Sequence, residues 1–308
     1  MKSTKQAALF LGIIASLFFA ITFIVNRLMS LNGGSWIWSA SLRFYWMLPF
    51  FFAIVLYRRN FKSLVTEMKK NLLQWLLWST VGFGVFYATL TFAAAYSPSW
   101  LVASTWQITI VAGLLLAPLI NPEVKGINPK SLLFSGIILF GIILMQFNQT
   151  QKITLENVLL GFVPILIAAF AYPLGNRKMM QITKNKLDVY QRILGMIICS
   201  LPFWVLLSSY ELLYKHTLPQ TEQWYQTFIV AVFSGVIATI LFFKATDLAS
   251  SDENHLSTVE ATQSTEVVFA LIGEMLFLSI AFPSNLELIG ITFVVIGMLL
   301  HATRNNAN

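Results

Sequence analysis

The chain has 308 residues, 57% of them hydrophobic and 11% charged, and a mean hydropathy of +0.72. Soluble domains carry about 25% charged residues, so a water-soluble globule is excluded, and a single cysteine, Cys199, excludes a disulfide scaffold. The net charge of +7 would suit nucleic acid only if the basic residues formed a water-facing patch; they punctuate apolar runs instead, which argues for lipid and against nucleic acid.

A helix needs about 20 apolar residues to cross the roughly 30 Å hydrocarbon core. Ten stretches meet this, at approximately 7–29, 36–57, 72–96, 99–120, 130–148, 155–176, 188–209, 223–248, 255–281 and 285–302. They predict an all-α membrane protein of ten transmembrane helices. The first run follows two lysines, as a secretory signal would, but continues through ITFIV, too long for a signal core, and reads as an uncleaved span. The second carries Arg43. The third holds Tyr87, a candidate cavity hydroxyl, and is loosened by Gly82 and Gly84. The fourth contains Trp106 and Gln107, where the indole face suits a cation or planar ring. The fifth, LLFSGIILFGIILM, does not alternate and so excludes a β-barrel.

The sixth span is broken up by Pro164 and Pro173, whose missing N–H groups free carbonyls for a cavity or hinge. Arg192 in the seventh either binds an anionic group or pairs with Asp188, four residues away, and Lys244 in the eighth pairs in the same way with Asp247, three residues away. The ninth span concentrates acids. Glu260, Gln263 and Glu274 share one helix face, while Glu266 falls near the middle on a neighbouring face. Ionisable groups inside a span face a cavity or a partner. Glu266 is therefore a candidate carboxylate for proton exchange or cation binding, or else a structural partner of Lys244 or Arg192. Glu260 has the same two readings, and Glu274 reads as an interfacial charge. Arg43 and Arg192 remain candidates for an anionic substrate group.

Cytoplasmic placement of the N-terminus puts Lys2, Lys5, Arg58, Arg59, Lys62, Lys69, Lys70, Lys125, Lys130, Arg177, Lys178, Lys184, Lys186 and Arg304 on one side, against Lys152 and Lys215. This asymmetry predicts a multi-pass protein of the cell membrane with both termini cytoplasmic. The chain also repeats itself. Asn26-Arg27 and Asn176-Arg177 are followed by Met29 and Met179; Arg43 and Arg192 each sit in a span containing LPF; TLTFAAAYS lines up with TILFFKATDLAS, and TWQITIV with TQSTEVV. The common offset predicts two five-helix repeats, 1–150 and 151–308. Five is odd, so the repeats are inverted, a geometry suited to alternating access about a shared central site.

Ten spans in this order, with SPSWLVASTWQITIVAGLLLAP and VEATQSTEVVFALIGEMLF, resemble the drug/metabolite transporter superfamily, in particular its EamA-like ten-helix members of the multidrug-resistance efflux type. The resemblance implies export of small organic molecules, commonly in exchange for protons. One departure stands out: four-helix members of that superfamily place an essential glutamate in the first helix, and the first span here has no acid. The expectation is a secondary transporter for lipophilic or cationic compounds, using Glu266, Glu260, Gln263, Trp106, Gln107, Tyr87, Arg43 and Arg192. The alternatives are an exporter or exchanger of a polar metabolite, such as an amino acid or nucleotide conjugate, and a non-transporting membrane scaffold. The sequence offers no Walker loop, nucleophile elbow or metal-ligand spacing among His216, His255 and His301. It therefore predicts no enzyme and no cofactor, with the proton gradient as the energy source.

Overall fold

A computed structural model describes residues 2–120, 129–150, 154–183, 186–250, 253–278 and 282–304. Lys125, Lys152, Lys184 and the expected end of the ninth span at 279–281 lie outside the described residues. Among the described residues the fold is entirely helical. In lipid the backbone cannot turn to water for hydrogen bonds, and helices satisfy it internally.

Eight helices are long and apolar enough to cross a bilayer. They are α1 (Lys2–Leu31), α2 (Trp36–Tyr57), α3 (Leu72–Ala93), α4 (Ser99–Ile120), α5 (Pro129–Thr150), α6 (Leu155–Thr183), α7 (Val189–Leu213) and α8 (Thr221–Ala249). A ninth segment, α9, is built of Glu253–Ala261, Thr262–Ser264 and Thr265–Phe277. The last, α10 (Asn285–Arg304), has a shorter apolar stretch, Asn285–Leu300. A short amphipathic helix, Phe61–Lys70, joins α2 to α3 and buries Leu64.

Several boundaries follow from local chemistry. Ser35 caps α2, its hydroxyl accepting from the Ile37 N–H at 3.2 Å. Asp188 and Gln191 form a reciprocal capping box at the start of α7. Gly33, with φ +79°, supplies the left-handed residue that turns the chain out of α1.

Helices that hold matching places five apart pack against one another in opposite directions. In α2 and α7, Tyr45 meets the Ser208 hydroxyl at 2.6 Å, and Arg58 meets Asp188 at 3.2 Å. In α4 and α9, the Ser99 N–H reaches Glu274 while Gln107 reaches the Gln263 carbonyl. In α5 and α10, a Cβ on Gly141 would stand 2.5 Å from the Gly290 carbonyl oxygen, and Gly297 abuts Ile138. Residue numbers rise along one helix as they fall along its partner in all three pairs. The remaining packing is exchanged in the same way, with α1 lying against α8 and α9 and α6 against α3 and α4.

Two departures from regular α-helix also occupy matching places. α3 becomes a π-helix over Thr80–Val85 and α8 over Ala231–Ala238. Gly82 and Gly84 lie in the first, as the loosened third span suggested. Gly82 meets Gly175 of α6 backbone to backbone: a Cβ on Gly175 would stand 2.4 Å from the Gly82 Cα, and a Cβ on Gly82 would stand 3.1 Å from the Gly175 Cα. The expected disruption of the sixth span is not found. α6 is one continuous helix through Pro164 and Pro173, and it runs seven residues past the predicted end.

Candidate functional site

A small cavity lies between α1, α2, α3, α4, α6, α8 and α9. Its walls are mainly aromatic. Phe86 packs on Trp106 and Tyr172 at ring separations of 5.1 and 4.7 Å, and Trp106 meets Tyr172 edge-on at 5.6 Å. Phe44 stacks on Trp204 at 4.7 Å, which fixes the neighbouring wall. The polar lining consists of Thr22, Arg43, Ser234, Thr239, Gln263 and Glu266.

Glu266 is 1% exposed, lines the cavity, and neither of its carboxylate oxygens has a hydrogen-bond partner among the described residues. It sits in the first turn of the regular helix Thr265–Phe277, after the tight turn Thr262–Ser264, which interrupts α9 midway. A buried carboxylate without donors is costly unless a proton, a cation or a partner compensates it. Neither Lys244 nor Arg192 provides that partner: Lys244 lies over the Tyr190 ring, and Arg192 bonds Asp247 at 2.8 Å.

Arg43 also faces the cavity and is 5% exposed. One terminal nitrogen donates to the Ser234 hydroxyl at 3.1 Å, and Ser234 in turn accepts from Thr22. Its guanidinium carbon stands 4.1 Å from the centre of the Tyr87 ring, an arrangement that partly offsets a buried positive charge. The π-helical segment of α8 carries Ser234, and Thr239 donates to the Ser234 carbonyl across the widened turn.

The other expected residues divide. Trp106 and Gln263 line the cavity. Gln107 lies behind it, donating to Ala103 and, at 3.3 Å, to the Gln263 carbonyl, so the two aligned glutamines do meet. Tyr87 turns its hydroxyl to Asn26 and offers its ring to Arg43. Glu260 is held away from the cavity lining by Arg177, with contacts of 2.7 and 3.3 Å. Arg192 is likewise outside the lining.

Two pairings and one placement differ from those expected. Asp188 caps α7 and bonds Arg58 and Asn60 instead of Arg192. Asp247 takes Arg192 instead of Lys244. Glu274 is not an interfacial charge: it is buried and accepts the free N–H groups of Ser99 and Trp100 at the start of α4, at 2.8 and 2.9 Å. Arg177, expected in a loop, is buried within α6 and also donates to the Gly113 carbonyl. It therefore ties α4, α6 and α9 together. Tyr172, Thr22, Ser234 and Thr239 complete the lining but carry no sequence signal that separates them from packing residues.

Among the described residues, no three His, Cys, Asp or Glu side chains converge to hold a metal ion. A family model described as "EmrE: Putative multidrug resistance efflux transporter" matches residues 6–307. "Uncharacterized protein YjlA" of Bacillus subtilis (strain 168) is 51% identical over 304 residues, covering 96% of this chain and 94% of that protein. "Uncharacterized 42.1 kDa protein in intracellular alkaline protease 3'region" of Shouchella clausii is 47% identical over 287 residues, covering 91% and 75%. A solved crystal structure superposes on 98% of each chain with a TM-score of 0.68 at 12% identity, a likeness of fold.

Proposed function

The chain belongs to the multidrug resistance efflux transporter family, and from that premise we propose that it exports lipophilic, cationic compounds in exchange for protons. That it is a multi-pass membrane protein moving small compounds follows from the family and the apolar helices. The coupling and the substrate charge rest on one observation, the unpartnered Glu266 carboxylate in the wall of an aromatic cavity. A cationic substrate and a proton compete for the same carboxylate, so binding one releases the other. The aromatic faces of Phe86, Trp106 and Tyr172 supply the apolar contact and attract positive charge.

We read residues 1–150 and 151–308 as inverted repeats that rock against each other around this cavity. The antiparallel pairing of α2 with α7, α4 with α9 and α5 with α10 supports that reading. With both termini cytoplasmic, as the basic asymmetry favours, the Arg177–Glu260 pair would lie towards the cytoplasmic end, where we read it as the closure of that end.

The test is flux in proteoliposomes with an imposed pH gradient. Cationic dyes are expected to move against proton flow and to reverse direction when the gradient is reversed. Dye movement at the same rate without any gradient would refute proton exchange while leaving transport intact.

A further inference from the structure

We propose that the compound moved carries an acidic group as well as a protonated amine, joined by an aromatic body. This deepens the reading of the Glu266 cavity as the transport site and depends on it.

The argument starts from the balance of charge. Three buried charges outside the lining are compensated, Arg177 by Glu260, Arg192 by Asp247, and Glu274 by two backbone N–H groups, whereas Glu211 on α7 keeps one carboxylate oxygen without a partner among the described residues. Inside the cavity the pattern changes. Among the described residues Glu266 has no hydrogen-bond donor, Arg43 makes no ion pair with an acid, and the Arg43 Nε has no acceptor. The guanidinium rests on the Tyr87 ring and on one hydroxyl. A cavity with two opposite, separately uncompensated charges is matched by a ligand that brings one of each.

A cation alone would answer Glu266 but leave Arg43 facing a like charge in a site of low dielectric. A proton on Glu266 would have the same shortcoming. An acidic group on the ligand instead accepts from the guanidinium, whose planar N–H donors suit a carboxylate. The hydroxyls of Thr22 and Ser234, adjacent to Arg43, can share that group. Arg43 belongs to α2 and Glu266 to α9, so an amphoteric ligand spans the two halves of the chain. Neither charge alone makes that bridge. Arg43 then sets specificity, and Glu266 exchanges the amine for the proton.

The test uses three fluorescent probes of one skeleton: norfloxacin, which bears an amine and a carboxylate; its carboxyl methyl ester, which keeps only the amine; and its N-acetyl derivative, which keeps only the acid. Binding and flux are measured with the intact protein in proteoliposomes. The wild-type protein is expected to prefer norfloxacin over either derivative by at least about tenfold, the scale of a charge-assisted hydrogen-bonded contact. Arg43→Gln should reduce the ratio of norfloxacin to ester to about one, and Arg43→Lys should restore part of it. Equal handling of norfloxacin and ester by the wild-type protein, while cationic dyes still follow the pH gradient, would overturn the inference and spare the proposed function. Because the wild-type comparison is decisive alone, a variant that fails to fold does not remove the test. If neither dyes nor any probe move, both fall together.

Discussion

Glu266→Gln is expected to reduce gradient-driven dye movement to the level of protein-free vesicles while leaving the protein folded. The two halves of that expectation have separate physical origins. Glutamine keeps the shape of the side chain but can neither hold a titrating proton nor carry the negative charge that attracts a cation. The carboxylate oxygens have no hydrogen-bond partner among the described residues, so the exchange removes no described contact and ends the cost of an uncompensated buried charge. Thermal unfolding in detergent should therefore occur at the wild-type temperature or above it. A variant that still concentrates dye at the wild-type rate would remove Glu266 from the coupling step.

The opposite combination is expected at Glu260. Its carboxylate takes two bonds from Arg177, which is itself buried. Glu260→Ala would remove the acid that balances this buried guanidinium, and breaking a buried pair from one side costs about 3–5 kcal/mol. Replacing both members, Arg177→Leu with Glu260→Leu, leaves no charge to strand and should regain most of the lost stability. Unfolding temperatures of the single and double variants read this directly. A single variant as stable as the wild type would show that the pair does not hold α6 to α9. If the pair closes that end of the cavity as proposed, the double variant should also move substrate less well than its stability suggests.

Much of the architecture is legible in the sequence because a bilayer imposes a length and a polarity on each segment. Charge-poor runs mark the helices, and matched strings such as Asn26-Arg27 and Asn176-Arg177 announce the internal likeness. Alignment of TWQITIV with TQSTEVV made Gln107 and Gln263 equivalent positions, and the contact between them comes from the packing of α4 on α9. What could not be read was which side of a helix meets which neighbour. Arg177 looked like a loop residue since Lys178 follows it, yet α6 continues to Thr183 and turns the guanidinium inward. Glu274 looked interfacial by its position along the span, but it meets the exposed N–H groups that begin α4, a partner 174 residues distant. Asp188 and Asp247 illustrate the same limit: helix spacing proposed near neighbours, while packing of α2 and α8 supplied closer ones. The π-helical segments are invisible to hydropathy, although Gly82 and Gly84 hinted at the first.

The proposed transport cycle needs the cavity to face one side of the membrane and then the other. Cys199 is the only cysteine, so Cys199→Ala provides a background in which a single new thiol can be followed. Thr239→Cys places that thiol in the cavity wall with little change in size. In vesicles of uniform orientation, a membrane-impermeant thiol reagent should label it from either face, and a transported compound should raise labelling from one face as it lowers labelling from the other. Labelling from the same face alone under every condition would contradict alternating access.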